Sequence, residues 1–172
     1  ERFSVAGPRG AYEYWARSAN SGIIDVKVNS PAPVEVEVYV LMQGGELPTS
    51  DVLEQVADVV NDERIRPLTD KVTVKAPNVS SYDVELTYYI ATQNAASAAT
   101  IQEAVNQAVT DYVLWQKSKI GRDINPSELV RRIMQAGARR VAITSPSYTA
   151  ISNTDIAVAG NIEVIYGGLE DD

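Results

Sequence analysis

GIIDVKVNSPAPVEVEVYVLMQGGELP, residues 22–48, is the stretch whose reading decides the fold. Two runs in it alternate apolar and polar residues. In the first, Ile24, Val26 and Val28 share one side, and Asp25, Lys27 and Asn29 the other. In the second, Val34, Val36, Val38, Val40 and Met42 lie opposite Glu35, Glu37 and Tyr39. Successive strand side chains point to opposite faces, so this period belongs to half-buried β-strands. The intervening Ser30-Pro31-Ala32-Pro33 cannot continue a ladder, because proline lacks the N–H and fixes φ. The pair therefore reads as a hairpin or a tight corner. Gln43-Gly44-Gly45-Glu46-Leu47-Pro48 ends the second strand.

Upstream, residues 1–10 contain two glycines and a proline and read as an irregular arm. Residues 11–19 read as a short helix, with Tyr12, Trp15 and Ala16 on one face and Asn20-Ser21-Gly22 as the stop. Downstream, residues 49–62 put Leu53, Val56, Ala57 and Val60 on one helical face. Thr49 or Ser50 can cap its start, and Asp51 and Glu54 suit its positive end. Residues 64–70 read as a loop around Pro67, and 71–76 as a third strand with Val72 and Val74 on one side.

Residues 77–81 are the best internal boundary. A long alternating strand follows at 82–92, then the longest helix at 97–119, with Ile101, Ala104, Val105, Ala108, Val109 and Tyr112 as its stripe. Lys117 and Lys119 complement its negative end, and Gly121 suits the position just beyond it. Asn125-Pro126-Ser127-Glu128 is a helix start: Asn125 can cap, Pro126 suits the first helical position, and Glu128 sits where a capping-box partner belongs. That helix is expected to bury Leu129, Ile133 and Met134 and to stop at Gly137. Strands are expected at 139–144 and 161–166, with a partner to the last at 156–159. Gly167-Gly168 should end the final strand and leave 169–172 as a loose acidic tail.

Alternation this clean implies sheets with one face left for water or a partner. The expected class is α+β: two small tandem sandwiches, 1–78 and 79–172, each a mixed or antiparallel sheet with helices packed on one face.

The 172 residues are 45% hydrophobic, enough for a real core, and carry a net charge of −8. That balance argues against nucleic acid, whose phosphates need clustered Lys and Arg, and against anionic membranes. The longest apolar run, 38–42, is far short of a membrane span. No secretory signal is visible, and the chain lacks an initiator methionine, so it reads as a piece of something longer.

There is neither cysteine nor histidine. Disulfides, thiolate nucleophiles, the usual zinc sites and imidazole acid–base chemistry are therefore excluded. No phosphate-binding loop, dinucleotide fingerprint, HExxH, EF-hand loop or serine-nucleophile pattern occurs. Gly44-Gly45 and Gly167-Gly168 read as strand-ending turns. Glu35 with Glu37 offers paired carboxylates on one strand face, but Lys71 and Lys75 on another strand's polar side make a salt-bridged face the simpler reading. Asn78-Val79-Ser80 matches the glycosylation acceptor pattern, which is short enough to arise by chance. No catalytic residue, cofactor or metal ligand is assigned. Trp15 and Trp115 read as core anchors. Tyr14, Tyr39 and Tyr89 fall on the polar sides of their elements, where aromatics favour protein interfaces. With Glu35 and Glu37 they form the candidate interface set.

AYEYWARSA at 11–19, IIDVKVNSPAPVEVEVYVL at 23–41, GGELP at 44–48 and NDERIRPLTDKVTVKAP at 61–77 together resemble the baseplate J-like family of contractile phage tails. YDVELTYYI at 82–90 and DIAVAGNIEVIYGG at 155–168 fit the same pattern. The resemblance covers nearly the whole chain and corresponds to the middle and C-terminal part of such a protein. One departure is Val34, where the family often has glycine after SPAP. The resemblance implies a non-enzymatic baseplate wedge protein in the virion, made in the bacterial cytoplasm and expressed from a phage or a prophage. Its implied partners are copies of itself in a ring, neighbouring wedge proteins and the central hub or spike, with rearrangement when the sheath contracts. The arm, the exposed sheet faces and the acidic tail would make the contacts. Two alternatives stand beside it: a wedge subunit of a tailocin or secretion-type device, and a carboxylate-based glycan hydrolase, for which no acidic pair in an apolar setting is visible.

Overall fold

The computed structural model describes residues 9–171. The expected arm lies largely outside the described residues, as does the last residue of the expected tail. The fold is α+β. Its helices are α1 (Arg9–Ala19), α2 (Ser50–Val60), α3 (Ala98–Lys117) and α4 (Pro126–Gln135). Its strands are β1 (Ile23–Asn29), β2 (Glu35–Met42), β3 (Lys71–Lys75), β4 (Asn78–Ala91), β5 (Arg140–Ser145) and β6 (Asp155–Glu170). They form two three-stranded sheets, β1-β2-β3 and β5-β4-β6.

The chain divides into two compact units. One is built on the residues up to Asn78, joined by Ser118–Gly121 and Ser152–Ile156; the other holds the rest.

In the first unit β1 and β2 form the antiparallel hairpin, and β3 runs parallel to β2 on its other side. The register sets Val26 beside Val40, Val28 beside Val38, and Val36 and Val38 beside Val72 and Val74. This valine face packs on Tyr12 and Ala16 of α1 and Val56 and Val60 of α2. Apolar area removed from water holds the layers together, at roughly 25 cal/mol per Å². Thr49 caps α2, its hydroxyl accepting from the Val52 N–H at 3.5 Å.

The second strand starts at Glu35, one residue later than the alternation suggests. Val34 leaves the pleat with φ 63° and is exposed. Two prolines hold the corner before it, and the turn is closed by Glu35 N–H to the Ala32 carbonyl at 3.1 Å. Lys71 N–H donates to the Val34 carbonyl at 2.7 Å, so the corner also aligns β3.

In the second unit Tyr82, Val84, Leu86, Tyr88 and Ile90 of β4 face Val105, Val109 and Tyr112 of α3 and Leu129 and Ile133 of α4. Asn125 caps α4 by accepting from the Ser127 N–H at 3.0 Å, with Pro126 in the first turn. Glu128 does not complete a capping box; it binds Arg131 and Arg132 instead. β4 pairs antiparallel with β5 and has β6 on its other side.

Five local expectations are corrected. The final strand does not stop at Gly167-Gly168 but continues to Glu170, which Arg140 grips through two nitrogens at 2.7 and 3.0 Å. The tail is therefore pinned where looseness was expected. The long strand begins at Asn78, inside the expected boundary segment. α3 ends at Lys117, so Lys119 and Gly121 lie in the following turn. Met134 is exposed, because α4 turns only Leu129 and Ile133 fully inward. Trp15 lies at the surface against Tyr14, whereas Trp115 packs against the core beside Tyr112.

Candidate functional site

The candidate residues occupy three places. Glu35, Glu37 and Tyr39 share the polar face of the first sheet. Their cross-strand neighbours on that face are Lys71, Thr73 and Lys75 on β3, with Asn29 and Lys27 on β1. Tyr14 lies on α1. Tyr89 belongs to β4 in the second unit.

On the polar face the side chains satisfy one another. Lys75 Nζ meets Glu37 Oε1 at 2.5 Å, and the Tyr39 hydroxyl donates to Glu37 Oε2 at 2.9 Å. The hydrogen bond from Lys75, then that from Tyr39, holds the Glu37 carboxyl below the usual range. Burial, reinforced by Glu37, pushes the Tyr39 phenol up. Tyr39 is only 7% exposed, so it is not the open aromatic that its position on the polar side suggests. The reason is tertiary. The segments Ser118–Gly121 and Ser152–Ile156 return to the first unit, and Ile120 N–H donates to Asp25 Oδ2 at 2.9 Å on that same face. Ile120, Ile156 and Leu41 are buried as well. Strand periodicity cannot show a cover that arrives from far along the chain. Glu35, at the outer end of β2, stays exposed.

Tyr14 is 64% exposed and meets the Trp15 ring edge-on at 5.1 Å between centroids. An exposed aromatic pair on one helix is a compact apolar anchor of the kind interfaces use. Tyr89 is half-buried, with the Arg140 guanidinium 4.0 Å above its ring. Arg140 also grips Glu170, so Tyr89, Arg140 and Glu170 make one cluster across the three strands of the second sheet. That cation–π stack uses the ring face internally.

The sequence reading missed the exposed apolar residues of β6, Ile162 on one face and Ile165 on the other, with Leu169 further along. Ile162 and Val164 also line an open groove with Asn106, Val109, Thr110 and Val113 of α3. The signal that could have found it is the alternation of Ile162, Val164 and Tyr166 in the expected final strand. Among the described residues, no group of three or more metal-capable side chains comes together, and no helix is long and apolar enough to cross a membrane.

The class this architecture defines is a pair of small sheet-and-helix units with surface aromatics and a long sheet edge. Family models match both: the Baseplate J-like central domain at residues 4–76 and the Baseplate J-like protein C-terminal domain at residues 82–165. The chain belongs to the baseplate J-like family. Baseplate protein J of Escherichia phage P2 is 30% identical over 173 residues, covering 99% of this chain and 56% of that protein. The chain thus spans about half the length of this curated relative. Among solved structures, a chain of the anti-feeding prophage baseplate, determined by cryo-EM with 6-fold symmetrisation, is similar with a TM-score of 0.58. The identity is 12%, and the likeness covers 86% of this chain and 36% of that one. That likeness concerns the fold.

Proposed function

We propose that this chain is a structural, non-enzymatic component of a contractile tail baseplate, acting as a wedge protein. The observation that carries the reading is the tandem match to central and C-terminal baseplate J-like domains, in chain order and with little sequence between them. It would join copies of itself and neighbouring wedge subunits around a central hub or spike, and move with them when the sheath contracts. Its place is the virion. The surfaces offered for contact are the Tyr14–Trp15 pair, the exposed end of the first sheet at Glu35, and the edge of the second sheet. Glu37, Tyr39 and Tyr89 act indirectly in this reading, by holding those surfaces in shape.

The test is deletion of the gene in the parent phage or prophage, with particles examined by negative-stain microscopy and complemented in trans. The expected result is tails without baseplates and restoration by the intact gene. Normal, infective particles from the deletion strain would overturn the proposal. Tyr14→Ala with Trp15→Ala in the complementing copy should lower particle yield while the purified chain stays folded by circular dichroism.

A further inference from the structure

β6 is the longest strand and lies at an edge of its sheet, with β4 on one side and no strand on the other among the described residues. A sheet edge presents N–H and C=O groups ready to pair with another chain, and proteins usually blunt it with lysine, proline or a short length. β6 has none of these protections. It contains neither lysine nor proline, and Glu163 is the single charge between its ends. Ile162 on this edge is 50% exposed.

The groove beside the edge has a direction. Its floor is Val109, Val113, Ile162 and Val164, and its helical wall is Asn106 and Thr110. Glu103 stands one turn before Asn106 on the same side of α3, because residues three and seven apart share a helix face. On the opposite face of the sheet, Glu163 alternates with Ile162 and Val164, and Glu85 projects from β4. Glu85, Glu103 and Glu163 are exposed and make no ion pair among the described residues. By contrast, the exposed Arg131 and Arg140 of this unit are already bound to Glu128 and Glu170.

We propose that the free edge of β6 seats an extended segment of a partner polypeptide by strand addition. The segment would turn apolar side chains into the α3–β6 groove and Lys or Arg toward Glu163 and Glu85. Backbone pairing supplies affinity in such a mode, and the alternate side chains supply selectivity. Opposite charges placed across neighbouring strands strengthen the pairing, and like charges weaken it. The unpaired carboxylates choose a basic segment over an acidic one. They also disfavour a second copy of this acidic chain. The inference rests on the assembly reading only for the source of the segment.

The probe is a blocked synthetic peptide of about nine residues, an ordinary strand length, alternating Val and Lys. It is titrated into the full 15N-labelled chain. Shift changes are expected at residues 160–169 and at Val109 and Val113. Replacing Lys by Glu in the peptide should weaken binding about fivefold or more, about 1 kcal/mol per charge pair. Methylating alternate backbone nitrogens on the pairing side should abolish it. Glu163→Lys in the protein should reverse the charge preference, which a merely misfolded variant would not do. Shifts elsewhere, indifference to peptide charge, tolerance of methylation on both sets of nitrogens, or self-association through β6 would each overturn the proposal. A chain that ignores the peptide yet is required for baseplates refutes the seat alone. A chain that binds the peptide yet is dispensable for particles refutes the assembly role alone.

Discussion

The Tyr12 hydroxyl donates a buried 2.8 Å hydrogen bond to Asp70 Oδ2, joining α1 to the residue that precedes β3. Both groups are nearly inaccessible, and Arg66 closes the cluster by donating to the Asp70 carbonyl. Burial, then Asp70, pushes the Tyr12 phenol well above its ordinary value. Removing one partner of a buried polar pair costs about 1–3 kcal/mol, because the other loses both water and its bond. Tyr12→Phe is therefore expected to destabilise the first unit by about that amount, measured by urea unfolding. Tyr12→Phe with Asp70→Asn should lose less than the sum of the single changes.

At Gly167 the second sheet leaves no room. A Cβ there would stand 2.5 Å from Cε1 of Tyr89 and 2.9 Å from Cγ2 of Thr87. The ring cannot withdraw freely, because Arg140 lies over it. Overpacking of this kind costs about 1–3 kcal/mol. Gly167→Ala should lower the unfolding midpoint accordingly, and Tyr89→Ala in the same chain should recover part of the loss. Equal stability of Gly167→Ala and the parent would refute this account of why the position is glycine.

Val34 holds a left-handed backbone that β-branched residues avoid. The conformation costs roughly 1–2 kcal/mol in an L-residue, and glycine adopts it freely at an entropic cost of about 0.5–1 kcal/mol. Val34 is exposed, so little packing is lost. Val34→Gly is expected to stabilise the chain by about 0.5–1 kcal/mol in the same urea assay. A fall in the midpoint would show that the valine side chain does more in the corner than its exposure suggests.

Glu128 links stability to acid. Its hydrogen bonds from Arg131, then Arg132, lower its pKa from the ordinary 4.5 to about 2. Between those values the folded chain binds fewer protons than the unfolded one, so stability rises with pH across that window. The contribution is complete above about 4.5 and drains away as pH falls through about 2. Partly exposed pairs of this kind contribute up to about 1 kcal/mol. The stability gap between the parent and Glu128→Gln should be widest near neutrality and close on acidification, followed by thermal unfolding across the range. A gap unchanged at low pH would refute the assignment.

Much of the local structure was legible along the chain because it is written in nearest neighbours. Period-two alternation marked β1, β2, β3 and β4. The Asn125-Pro126 start of α4 was readable because an N-cap needs only residues a turn away. Val34 was flagged through the family resemblance as a place where glycine often stands, and the positive φ there supplies the physical reason. The extent of β6 was not legible. Gly167 punctuates most sequences as a turn, yet here it makes room for Tyr89, a residue far away in the chain.

The candidate contact surface divides along the same line. Alternation determined that Glu35, Glu37 and Tyr39 share one face of a sheet, since side-chain direction follows from backbone geometry alone. Which of them stays open was decided by tertiary structure. The segments 118–121 and 152–156 return to the face that buries Tyr39, while Glu35 at the outer end of β2 stays exposed and Glu37 pairs with Lys75 of the neighbouring strand. Exposure is a property of what else the chain brings to a face, and only folding brings distant residues there.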